Sequence, residues 1–324
     1  MGNAEDYIPS LKFGHKILPS NISGMVGLAS VGTIFYVDPA NGSDTANNGK
    51  NIDNAYASAT KALSSMTADR DDIVVIAGQN STGRASEAAV LDWNKRRTHI
   101  LGNGAPRKIN PRNGFQAGFT GETTTSCFTL SEKDCSFTNI SIATFNDNDI
   151  LFDITGDYNT FQNVHFQGIG QADAGDAAGA RSLRLTGAEE NEFYNCTIGL
   201  DTVTRSAANA SLELTGSCPR NKFFGCDFPI FADSADALWL KADTGNCYER
   251  FLQFENCFFQ NPDGASSLTL TIGFDLSTTG NGDINMINCN WRGATDLANN
   301  YTRLFSNSPT VNTANQGLMI VTAT

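Results

Sequence analysis

Hydrophobic and polar positions recur along this chain in one short phrase. Phe137-Thr138-Asn139-Ile140-Ser141-Ile142 sets its grammar: a bulky apolar residue, an outward one, Asn, an apolar residue, an outward one and a second bulky apolar residue. The phrase returns at 161–166, 193–198, 223–228, 254–259 and 286–291. Its third residues fall at 139, 163, 195, 225, 256 and 288, in steps of 24, 32, 30, 31 and 32 residues, which is the spacing of stacked structural repeats. Period-two alternation holds on both sides of the Asn and changes phase across it. Each phrase therefore predicts two short strands meeting at a corner.

A further strand lies in each step: Leu151-Phe152-Asp153-Ile154, Leu183-Arg184-Leu185, Leu212-Glu213-Leu214, Leu238-Trp239-Leu240 and Phe274-Asp275-Leu276, several of them followed by Thr-Gly. Two or three strands per turn with Gly and Asn corners describe an all-β, single-stranded parallel β-helix. Rungs about 4.8 Å apart bring like residues over like. Phe137, Phe161, Phe193, Phe223, Phe254 and Met286 should then form an interior pile, and Val164, Cys196, Cys226, Cys257 and Cys289 a second. Asn139, Asn163, Asn195, Asn256 and Asn288 should form an amide ladder, interrupted at Gly225.

Ahead of the repeats, Ala55, Ala59, Ala62, Leu63 and Met66 recur at helical spacing and predict a cap helix over about 54–67, followed by a first buried strand from Asp72. Rungs should run from about 71 to 310 within a β-helix domain of 34–324. Residues 1–33 lack a sustained period but carry Tyr7, Ile8, Leu11, Phe13, Ile17, Leu18 and Ile22 between prolines and glycines. They read as an extended arm that anchors on a partner or on its own solenoid.

Charge narrows the partners. Twenty-two Lys plus Arg against 34 Asp plus Glu leave −12 at pH 7, without the basic clusters that nucleic acid requires. No apolar run is long enough for a membrane span. The acidic start, Met1-Gly2-Asn3-Ala4-Glu5-Asp6, does not read as a signal peptide. Four of the eight cysteines fall in one inward file as apolar fillers, which points to free thiols and assembly in a reducing cytoplasm.

The run from Tyr36 to Asp44, the Ala-rich helix and Asp71-Asp72-Ile73-Val74-Val75-Ile76-Ala77-Gly78 resemble the entry segment of the pectate-lyase-like right-handed β-helix superfamily, over about residues 34–310. The arm, with Asp6-Tyr7-Ile8-Pro9-Ser10-Leu11-Lys12-Phe13-Gly14, is similar to structural proteins of tailed-phage heads. The resemblance implies a fold and leaves activity open, because the superfamily holds lyases, hydrolases, tailspikes and inert virion parts.

Candidate chemistry is sparse. The outward places of the further strand read as Asp153, Arg184, Glu213, Trp239 and Asp275, a candidate sugar-binding groove. Arg184 between two acids lowers their proton affinity, however, which is wrong for a general acid. Asp147, Asp149, Asp173 and Asp176 read as turn formers as readily as calcium ligands. No metal or cofactor is assigned, and His15, His99 and His165 form no grouping. Tyr194, Phe224, Ile287 and Phe258 are apolar at outward places and read as a subunit interface.

Two functions follow as expectations. The first is a bacteriophage capsid decoration or cement protein on the capsid exterior, a homotrimer whose partner is the major capsid protein lattice. The second is a tailspike-like protein that binds or cleaves host surface polysaccharide.

Overall fold

The computed structural model describes residues 32–77, 84–119, 126–262 and 268–307. The expected arm, with Tyr7, Ile8, Leu11, Phe13, Ile17, Leu18 and Ile22, lies outside the described residues. Three parallel sheets of ten, eight and eight strands wrap one core. From Asp72 onward the chain visits the first, second and third sheets in turn, coil after coil, with Ile34–Val37 ahead and Leu304–Ser306 behind on the first sheet. The fold is the all-β parallel β-helix that the repeat predicts.

The corner between the first and second sheets explains the Asn in each phrase. Asn139, Asn163, Asn195, Asn256 and Asn288 all have φ between 51° and 55°, and Gly225 has φ 63°. A Cβ crowds the following carbonyl in this left-handed region, which short polar Asn and Gly tolerate best. The column is thus a backbone device. Asn195 and Asn256 are exposed, and no side-chain bond joins one member of the file to the next.

The amide ladder occurs at another corner, just ahead of the first-sheet strands. Asn159 Oδ1 accepts from the Cys135 N–H at 2.9 Å, Asn191 Oδ1 from the Asn159 N–H at 2.9 Å, and Asn221 Oδ1 from the Asn191 N–H at 2.9 Å. All three asparagines are buried, and their amide groups donate in turn to turn carbonyls. Backbone groups that three successive turns would strand in the interior are thereby satisfied.

Inside the coil the expected piles form. Register pairs Phe161 with Phe193, Phe193 with Phe223, Phe223 with Phe254 and Phe254 with Met286. Neighbouring rings stack with centroids 4.5–5.1 Å apart from Phe137 to Phe254. Each buried ring contributes roughly 1.5–3 kcal/mol by leaving water. Cys196, Cys226, Cys257 and Cys289 stand in the second file as free thiols, each donating to the carbonyl of the Phe one coil before, at 3.3–3.5 Å.

The cap helix is shorter than its periodicity suggests and spans Ala59–Ser65. Asp44 Oδ1 accepts the backbone N–H groups of Ala57 and Ser58, which holds the preceding segment extended. Ser58 then caps the first turn through the Lys61 N–H. Glu87, on the first strand of the second sheet, accepts from the N–H groups of Ala59 and Thr60 and from the Thr60 hydroxyl. Ala59, Ala62 and Leu63 face the core and close the end of the stack.

Candidate functional site

The third sheet carries the expected charged column, with one change. Its register runs Asp153, Arg184, Glu213, Lys241 and Asp275. Trp239 is not in it: Trp239 is fully buried in the core and packs against Phe259 at 5.9 Å. Leu238-Trp239-Leu240 has the same alternation as Leu212-Glu213-Leu214, but Leu212 pairs with Leu240, two residues along.

Each acid of that column meets a base or another donor. Arg184 Nη2 donates to Asp153 Oδ2 at 2.6 Å, and the Thr186 hydroxyl to its other oxygen at 2.7 Å. Arg181 Nη2 donates to Glu213 at 3.2 Å. Lys241 lies 3.7 Å from Asp275, which also accepts from Asn299 at 2.6 Å. These partners tie the carboxylates down along the coil surface. The column is a row of alternating charge along the solenoid axis.

The outer face of the first sheet brings two of the expected apolar residues together. The Tyr194 and Phe224 rings stack at 4.9 Å and 11°, half-buried. The Tyr194 hydroxyl donates to Glu192, and burial, then that carboxylate, push its pKa up to about 12. Glu255 follows Phe224 in register and Ile287 follows Glu255, so the stripe is interrupted. Ile287 lines a groove of about 380 Å³ with Gln253, Asn285 and Phe305 near the C-terminal end of the stack. Phe258 stands on the second sheet beside Asp227 and Asn290, apart from the other three.

His165 faces outward from the coil but is buried there at 3 % exposure. The segment that follows Thr98–Gly102, the third first-sheet strand, crosses over it and covers part of the second sheet. His165 Nδ1 accepts from the Asn110 N–H at 3.0 Å and the Gln167 amide at 3.2 Å, and Nε2 donates to the Gly199 carbonyl at 2.9 Å. These partners fix the neutral tautomer, and burial holds its pKa down to about 4. Arg84 donates to Ser141 at 2.6 Å, Asn110 at 2.8 Å and Gln167 at 3.0 Å, and Lys108 pairs with Asp227 at 2.7 Å. Every ring nitrogen of His165 is occupied, so the network fastens the crossing segment.

Asp147, Asp149, Asp173 and Asp176 do not converge: no group of three or more potential metal ligands occurs among the described residues. No described helix is long and apolar enough to cross a membrane.

No family model and no curated protein sequence matches the chain. Solved structures do match in fold. A pectin methylesterase in complex with a hexasaccharide aligns over 90% of this chain and 93% of its own, with TM-score 0.56 and 14% identity. The Aspergillus niger pectin methylesterase aligns over 86% and 87%, with TM-score 0.52 and 12% identity. A pectate lyase aligns over 80% of this chain and 63% of its own, with TM-score 0.52 and 15% identity. At such identities the likeness establishes the right-handed parallel β-helix and leaves the chemistry to the residues.

Proposed function

We propose that this chain is a structural virion protein that decorates the exterior of an assembled phage capsid, binding the shell's lattice through its N-terminal arm and its own copies through the first sheet. The observation that carries this reading is the Tyr194–Phe224 stack, an aromatic pair on the outer face of an otherwise closed and rigid coil. Half-buried aromatics on such a face fit a protein contact, where their apolar rings leave water and the Tyr hydroxyl keeps a polar partner. A protein that binds only the assembled lattice stabilises it by mass action.

Purified protein sedimented with capsid shells tests the arm. Deleting residues 1–30 should abolish co-sedimentation while the circular dichroism of the β-helix persists, and undiminished occupancy would overturn the anchoring role. Tyr194→Ala with Phe224→Ala should convert a trimer to monomers by light scattering; an unchanged mass removes this face from the interface.

A second reading rests on the charged row of the third sheet, whose run along the axis suits a linear polysaccharide. It expects release of reducing sugar from host surface polysaccharide, lost in Glu213→Gln. Absence of release from every polysaccharide of the host surface rules out cleavage.

A further inference from the structure

At the start of the third-sheet strands, one file of buried positions changes character. Register places Leu151, Ser182, Ser211 and Trp239 on successive coils. Leu151 and Trp239 belong to the core, whereas Ser182 and Ser211, both fully buried, offer only hydroxyls between them. Arg205, which is 1% exposed, reaches the Ser211 side of this file where a large apolar side chain would otherwise stand. Its backbone is pinned by bonds to Phe231 at 2.9 Å and from Asp233 at 2.8 Å. Gly199 makes the approach feasible: a Cβ there would lie 2.9 Å from Ser211 Oγ and 3.0 Å from Arg205 Nη2.

These groups lack partners. Arg205 Nη1 and Nη2, Arg181 Nε, Ser182 Oγ, Ser211 Oγ and Asn209 Oδ1 are buried without a hydrogen bond among the described residues. Arg181 is otherwise well held, by the Ala178 and Ala180 carbonyls at 2.9 and 2.7 Å and by Glu213. Among the described residues no carboxylate pairs with Arg205. Burial, and then repulsion from Arg181, pull its pKa down to about 9, so it still carries its charge at neutral pH.

A buried guanidinium left without a counter-charge destabilises the fold, and each unmet donor adds to that. The unmet set is mostly donors: two guanidinium edges and two hydroxyls against one amide oxygen. That set suits a negative ligand and repels a cation. Its burial excludes polymers and large metabolites.

We propose that this corner binds one small inorganic anion of halide size, held by Arg205 and the hydroxyls of Ser211 and Ser182. The ion supplies the charge that no described acid brings to Arg205. It would act as a permanent internal brace where the second and third sheets join, independent of any role at the surface.

Crystals of the full chain grown in sodium bromide test the assignment directly. An anomalous peak within hydrogen-bond reach of Arg205 and Ser211 is expected, and water at that place overturns it. In solution the protein should melt several degrees higher in sodium chloride than in sodium gluconate of equal ionic strength. Arg205→Met should remove the difference; if that variant does not fold, Ser211→Ala should shrink it. Identical melting of the wild type in both salts refutes the site, and a rise with phosphate but not chloride refutes the halide.

Discussion

The Phe193 and Phe223 rings lie 4.5 Å apart and within 5° of parallel, each fully buried, one directly over the other. Neither has room to slide, because Phe161 and Phe254 close the stack on either side at 4.7 and 5.1 Å. Phe193→Ala should therefore leave a cavity and cost about 3–5 kcal/mol. Denaturant unfolding monitored by fluorescence measures this, and unchanged stability would mean that the pile does not carry the fold.

The two asparagine files should respond differently. Asn191→Ala removes the acceptor of the Asn159 N–H and two donor bonds in a buried turn, at a cost of about 1–3 kcal/mol. Asn195 is exposed with φ 51°, so Asn195→Gly should be nearly neutral and Asn195→Ala should cost roughly 1 kcal/mol in backbone strain. Equal losses at both sites, read by thermal melting, would contradict the assignment of separate roles.

Acid should loosen the segment that crosses the second sheet. The pKa of His165 falls from 6.5 to about 4 on folding, so the folded state prefers it neutral. Its stability contribution is whole above pH 6.5 and drains away as pH drops through that value toward 4. The full loss is roughly 3 kcal/mol at about 1.4 kcal/mol per unit. His165→Gln should show a shallower decline of melting temperature between pH 7 and 4; parallel profiles would exclude His165 as the source.

Thiol reagents offer a simple assay of closure. All eight cysteines are free and buried, and burial pushes the thiols of Cys127 and Cys247 up to about 12 and those of Cys135 and Cys218 to about 11. Thiolate is the reactive form, so the native protein should not react with a thiol-specific dye at pH 8. Eight equivalents should react in denaturant. Rapid native labelling would show that the coil opens.

The coil was legible because strand alternation and a fixed step repeat the same constraint many times. Phe193 and Cys196 betray their inward positions through their counterparts at 223 and 226. Leu238-Trp239-Leu240 mimics the inward-outward-inward pattern and so points Trp239 outward, while the true partner of Leu212-Glu213 is Leu240-Lys241. The repeat sets His165 at an outward place, where it stands, but its cover comes from Asn110, 55 residues earlier, in a stretch without periodicity. Likewise no local signal sets Arg205 beside Ser211. Contacts between distant, irregular segments leave no periodic trace.

Glu87 ties the cap helix to a strand that lies well beyond it in the chain. The helix it receives has only seven residues, too few to persist alone in water, and two of its first backbone donors find their acceptor on a strand 28 residues away. The helix that plugs this end therefore depends on the Arg84–Glu87 strand being in place. Opening of the strand thus unseals the end, and amide hydrogens of Ala59 and Thr60 should exchange at the rate of the Arg84–Glu87 strand rather than faster.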